Sequence, residues 1–298
     1  MDLTSAFGIR PFTRAQALGL GLTTWQWQQL VEQRQIEQLR RGVYVTRLAD
    51  DDRGRYQQKV GAGLMNRTNH FAFGDSAFAI HELPNPWFMP WERRPLLIGA
   101  RKARRDRGVS KLPGIAPLHS DWGPVTDLTT TAAWAASELP LPQALMVIDV
   151  IAQRLADTRD RFVLSSEHCR NDVRLRLTHE IDLPGLRCAD PAADSPAESY
   201  FRGHLIEADV TGLQCGVPIR GATGDQYFAD LLHGRLIVEV DGRGKYRTVQ
   251  DLIDEKFRED SLREAGYGFL RVWVEDLYAD PDREVQRFLA AMARKAAA

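Results

Sequence analysis

The chain has 298 residues, of which 44% are hydrophobic and 27% charged, with a formal net charge of -1. That balance excludes a disordered chain and lacks the overall basic excess of many nucleic-acid binders, so any such contact must come from local clusters. Three cysteines, Cys169, Cys188 and Cys215, fit neither a disulfide framework nor a C-x-x-C zinc site, and no apolar run reaches the ~20 residues of a membrane helix. The opening MDLTSAFGIR lacks the basic and apolar regions of a signal peptide, so no membrane partner and a cytoplasmic address are expected.

In chain order, residues 1–50 form the first predicted unit. FTRAQALGLGL gives a short helix with Thr13 as N-cap, and TTWQWQQLVEQRQI a second helix starting at Thr23 or Thr24. IEQLRRGVYV then reads as two short strands around Arg40-Arg41-Gly42. Helix, turn, helix and β-wing in this order fit a small winged helix-turn-helix. Bound to DNA, such a unit would turn Thr24, Gln26, Gln28 and Gln29 toward base edges and set Arg40 and Arg41 against phosphates. Packing or dimerisation is the other reading, with Trp25 and Trp27 divided between surface and core. The LRRGVYV segment resembles the wing of the abortive-infection, type IV antitoxin family, a resemblance that implies a toxin partner and an α/β middle domain without chemistry of its own.

Residues 51–160 are the predicted middle domain. HFAFGDSAFAIHEL reads as a strand or turn leading into a helix and PLLIGA as a short strand. VTDLTTTAAWAASELPLPQALMVIDVIAQRL reads as two helices broken at Pro140 and Pro142. His70, His81 and His119 are isolated and read as structural. Arg101, Lys102, Arg104, Arg105 and Arg107 form a basic run, either a solvated face or a nucleic-acid contact. Residues 161–194, with a helix near Cys169 to Thr178 and then closely spaced Pro, Gly, Ala and Asp, read as a connection.

The last predicted domain, residues 195–298, carries the chemistry. ESYFRGHLIEADV is a helix with Ser195 at its N-cap and Glu198 at its third position, a capping box. LQCGVPIR, YFADLL and RLIVEVDG follow as strands, VQDLIDEKFREDSLREAG as a helix ended by Gly266, GFLRVWVE as a strand and DREVQRFLAAMARKAAA as a closing helix. Val238 and Val240 alternate with Glu239 and Asp241, so a strand period of two sends both carboxylates to one face. A hairpin through His233-Gly234-Arg235 would bring Asp230 to the same end, where clustered anions need a counter-charge. A hard divalent cation, Mg²⁺ or Mn²⁺, fits that need.

An acidic residue followed about ten positions later by Glu-x-Asp resembles the core of the PD-(D/E)xK nucleases. EVDG with DEKFREDSLREAGYGFLRVW is similar to the DUF559 group, related to the very-short-patch repair endonucleases, over roughly Ser195 to Phe288. The resemblance implies a restriction-endonuclease-like mixed sheet flanked by helices, metal held by Asp230, Glu239 and Asp241, and a contribution from Glu198. The lysine usual two residues after the Glu is replaced by Asp241, so Lys256 or Lys245 would supply its charge, with Arg247 and Arg258 on phosphates. The expected whole is a mixed α/β protein: an Mg²⁺-dependent DNA endonuclease in repair or defence, targeted by a winged helix, with a repair partner. The alternative is an antitoxin-like transcriptional regulator whose nuclease-like domain is inactive. A third reading takes RNA rather than DNA as the target.

Overall fold

The computed structural model describes residues 2–65, 67–99, 117–242 and 248–296. Within it the chain is mixed α/β and divides into two compact units, Met1–Ala135 and Ala136–Ala298. Three expected features, the basic run at 101–107, Lys245 and Arg247, lie outside the described residues.

Side-chain caps set the start of the first unit. After α1 (Leu3–Phe7) and the short β1 (Phe12–Thr13), Thr13 caps α2 (Arg14–Gly19), and Thr23 caps α3 (Thr24–Glu32). Each threonine accepts the backbone N–H three residues on, and the Gln at that position accepts the threonine's own N–H, satisfying two orphan donors at each helix start. Strands β2 (Glu37–Arg40) and β3 (Val43–Val45) complete an antiparallel sheet of order β1-β3-β2, the turn between them passing through Gly42 at φ +78°. Leu3, Phe12, Ala17, Trp27 and Ile36 form its core. Trp27 is 5% exposed and Trp25 68%, the division expected for positions two apart, about 200° around a half-buried helix.

Helix α4 (Asp52–Met65) was not legible in the sequence, because Gly54, Gly61, Gly63, Gln57 and Gln58 hide its apolar stripe. Its glutamines are buried yet satisfied. Gln58 Nε2 donates to the Ile9 and Arg47 carbonyls at 2.8 and 2.9 Å, and Gln57 Nε2 to the Ala79 carbonyl at 2.8 Å. The unit continues with β4 (His70–Ala72), α5 (Asp75–Ile80), β5 (Leu97–Gly99), β6 (Leu118–Ser120), β7 (Gly123–Val125) and α6 (Leu128–Glu138), which runs across the division. The four strands make a mixed sheet of order β5-β4-β7-β6, with β4 and β7 parallel.

The second unit opens with α7 (Leu141–Leu155), whose Leu145, Ile148 and Ile151 are fully buried. Pro142 sits in its first turn, where a missing N–H is harmless, so the interruption lies at Leu139-Pro140. After α8 (Arg161–Leu164), α9 (Glu167–Thr178) and α10 (Pro184–Arg187) comes α11 (Pro196–Glu207), packed against α7. A side chain at Gly203 would strike Pro142 Cα at 2.4 Å, so this approach needs glycine. At the same contact Arg202 donates to both oxygens of Asp149, at 2.9 and 2.7 Å, both residues being buried.

Strands β8 (Leu213–Arg220), β9 (Gln226–His233) and β10 (Leu236–Asp241), helix α12 (Val249–Glu264), strand β11 (Gly268–Trp273) and helices α13 (Val274–Ala279) and α14 (Pro281–Ala296) finish the chain. The sheet order is β11-β10-β9-β8, mixed because β10 pairs in parallel with β11 and antiparallel with β9. The α13 turn stands where the end of GFLRVWVE was expected to remain extended. Among the described residues no helix is long and apolar enough to cross a membrane.

Candidate metal centre

β10 is buried along its whole length, with Val238 and Val240 on one face and Glu239 and Asp241 on the other. The hairpin register Val238↔Leu231 brings Asp230 level with Glu239, and the ladder stops there: Val240 N–H donates to Asp230 Oδ2 at 2.9 Å. One oxygen from each of Asp230, Glu239 and Asp241 lies within 4.8 Å of the others. The three carboxylates expected to meet do meet.

Gly216 helps to make room. It stands between the pairs Cys215↔Leu231 and Val217↔Ala229, opposite Asp230, at φ +56°. Any side chain there would lie 2.6 Å from the Ala192 carbonyl oxygen, so glycine lets the segment leading into α11 pass close to the sheet. Glu198, in the first turn of that helix, is 4% exposed. Burial, and then the negative charge of Asp230, push its carboxyl up to about 8. The expected capping box is half formed. Ser195 Oγ accepts the Glu198 N–H, whereas Glu198 Oε2 accepts the N–H of Asp194 and not that of Ser195. The carboxyl thereby faces Asp230 while still closing the helix start.

Two arginines face the cluster where a lysine was expected. Arg258 Nη2 donates to Glu239 Oε1 at 2.7 Å and Nη1 lies 3.4 Å from Glu255 Oε2. Arg271, held beside Glu239 by the parallel register, reaches Glu255 Oε1 at 2.6 Å and places Nε 3.1 Å from Asp241 Oδ2. Burial works against the charge on Arg258, but Glu239 and Glu255 hold its pKa above the usual value. Glu239, Arg258, Glu255, Arg271 and Asp241 thus form one alternating chain of charges.

Lys256 is not part of it: its side chain is 78% exposed and lies 3.9 Å from Asp260. At 100° per residue, Glu255, Arg258 and Leu262 share the sheet-facing side of α12, and position 256 points away. The sequence reading chose the residue type, lysine, over the helical face. Arg258, expected on a phosphate, donates to the Glu239 carboxylate.

Beside α11 a cleft of about 740 Å³ is lined by Arg154, Asp157, Arg159, Arg161 and Asp194. Arg161 pairs with Asp194 and lies 4.4 Å from the Phe228 ring centroid; Phe162, more than half exposed, meets that ring at 5.0 Å. Phe228 is two residues from Asp230 and so on the same strand face, roughly 7 Å along it. These residues straddle the expected middle domain, 51–160, and the expected connection, 161–194, and no sequence motif marks them.

In the first unit, Thr24, Gln26, Gln28, Arg40 and Arg41 are exposed. Gln26 Oε1 is engaged by the Thr23 N–H and hydroxyl in the helix cap, and Thr24 Oγ1 accepts from Arg14 at 3.2 Å. Gln28 projects from α3 beside exposed Trp25, and Arg40 Nη1 donates to the Ala62 carbonyl at 3.4 Å. No family model, curated protein or solved structure matches the chain.

Proposed function

We propose that the second unit is a divalent-metal-dependent phosphodiesterase acting on DNA, and that the helix-helix-hairpin at the start of the chain is a winged helix-turn-helix that brings it to its target. The observation that carries this reading is the meeting of Asp230, Glu239 and Asp241 oxygens within 4.8 Å across the paired strands β9 and β10. Carboxylates brought this close repel one another, and a divalent cation such as Mg²⁺, which takes oxygen ligands, relieves that repulsion. Asp230 and Glu239 would hold it, with Asp241 or Glu198 completing the shell directly or through water. When bound, such an ion polarises a phosphoryl oxygen and lowers the pKa of a coordinated water.

Around that centre the chain's own groups would position the strand. Arg258 stands where positive charge is needed against the developing charge of a pentacovalent phosphorus, its geometry fixed by Glu239 and Glu255. The neighbouring arginine cleft would receive the flanking backbone, with Phe162 and Phe228 as a surface for an adjacent base.

A second reading is favoured by one observation: Glu239 and Asp241 already have guanidinium neighbours, at 2.7 and 3.1 Å. In that reading the cluster is structural, and the protein is an antitoxin-like DNA-binding regulator without cleavage. Calorimetry with Mn²⁺ and Mg²⁺ on wild type and Asp230→Ala separates the two. The nuclease reading expects binding in wild type and its loss in the variant, together with cleavage of supercoiled, mismatched, branched or single-stranded DNA that Glu239→Ala abolishes. Heats equal to the blank, with wild type and Glu239→Ala equally inert on every substrate, would establish the regulator.

A further inference from the structure

A second charged concavity lies in the first unit, and it is basic. A cleft of about 720 Å³ is lined by Arg40, Lys59, Arg67, His70 and Arg94, over a floor that includes Leu97. Among the described residues that line it there is no carboxylate. Arg40 comes from β2, Lys59 from α4, Arg67 from the turn after α4, and Arg94 from the segment before β5, so residues far apart in sequence converge on it.

Helix capping explains part of this arrangement. Arg40 Nη1 donates to the Ala62 carbonyl and Arg67 Nη1 to the Gly63 carbonyl at 2.9 Å, which serve the orphan acceptors in the last turn of α4. Those bonds anchor two guanidiniums at the mouth of the cleft. They give no reason for Lys59 and Arg94 to be there, exposed and of the same sign. Gathering cations without acids between them is unfavourable in the isolated protein, and a polyanion removes the repulsion. The cations come from separate segments and share the lining with apolar Leu39, Phe73, Leu96 and Leu97, a disposition that suits a string of phosphates more than one compact anion.

We infer that this cleft is a track for the phosphate backbone of duplex DNA, with Lys59, Arg67 and Arg94 extending the contact of Arg40 from the wing onto α4 and the segment before β5. The inference rests on the DNA-binding reading of the N-terminal helices and hairpin. It gives the middle of the chain a binding role, where the sequence reading left it without chemistry of its own. The contact would be independent of base sequence and strongly dependent on salt.

The test measures fluorescence anisotropy of a labelled random-sequence duplex with the full chain, from about 50 to 300 mM potassium chloride. Lys59→Ala/Arg67→Ala/Arg94→Ala should bind about tenfold or more weakly and show a salt slope shallower by about two to three. Lys59→Glu alone, whose exposed site leaves the fold intact, should weaken binding in the same direction, and circular dichroism confirms that each variant is folded. Unchanged affinity and slope in both variants, with wild type binding the duplex in a salt-dependent way, would overturn the cleft's role and leave the DNA-binding reading standing. No binding of duplex DNA by wild type would overturn both. Tighter binding of a matched duplex RNA would overturn the assignment to DNA.

Discussion

Two buried ionic clusters in the second unit teach different things. Around Arg202 each acid meets a guanidinium: Asp149 accepts two hydrogen bonds from Arg202 Nη2 and a third from the Asp190 N–H, Arg202 Nη1 donates to the Cys188 carbonyl, and nearby Asp190 is met by Arg170 at 3.0 Å. On the face of β10, Asp230, Glu239 and Asp241 bring three carboxylate oxygens within 4.8 Å of one another, and the Glu198 carboxyl, buried beside Asp230, is pushed up to about 8. A network that pairs an acid with a guanidinium is weakened by the loss of either partner. One that crowds acids together is relieved by the loss of one, so the two should respond in opposite ways when a charged group is removed.

The largest effect is expected at the matched pair. Arg202→Ala leaves Asp149 buried without its partner and should destabilise the chain by about 3–5 kcal/mol, read as a lower urea midpoint. Mn²⁺ should not restore that loss beyond what it adds to wild type. If the midpoint falls by less than about 1 kcal/mol, the contrast between the two clusters disappears, because the pair would not be holding α11 against α7.

At the crowded acidic cluster, neutralising an acid should help. The Glu198 carboxyl, ordinarily near 4.5, is pushed up to about 8 by burial and then by Asp230. The folded chain therefore keeps a proton that the unfolded chain has released, so this carboxyl's contribution is complete below its unfolded pKa and is lost as pH rises toward about 8. Wild type should lose a few kcal/mol between about pH 5 and pH 8.5, whereas Glu198→Gln should lose much less and be the more stable of the two at the upper end. Urea titrations across that range measure it. A pH slope that is the same in both proteins would mean that Glu198 is ionised throughout and that its surroundings are already neutralised.

What the sequence made visible follows from how local each signal is. The alternation of Glu239 and Asp241 with two valines reports its own strand face, and the turn at Gly234, φ +57°, is adjacent to both strands it joins, so the acidic hairpin was readable. Thr13 and Thr23 were readable as caps for the same reason. Arg271 was not, because its place beside Glu239 depends on a parallel partner separated from β10 by a whole helix. Nor was the basic cleft, whose cations come from four separate segments, or α4, whose glutamines become interior residues only once the Ile9, Arg47 and Ala79 carbonyls surround them.

Lys256 offers the smallest expected effect and the sharpest contrast with its neighbour two positions on. Its side chain is 78% exposed and its nearest acid, Asp260, is itself more than half exposed, so the pair contributes little to stability. Lys256→Ala should shift the urea midpoint by no more than about 0.5 kcal/mol and leave Mn²⁺ affinity unchanged within about twofold. Arg258→Ala, by removing a guanidinium from Glu239, should alter both, weakening the fold while leaving more negative charge for the cation. If instead Lys256→Ala abolished cleavage in a protein with unchanged metal affinity and stability, α12 would have to turn its outer face toward a bound phosphate. The charge chain from Glu239 to Asp241 would then have to break and re-form during the reaction, because Glu255 and Arg258 ride on that same helix.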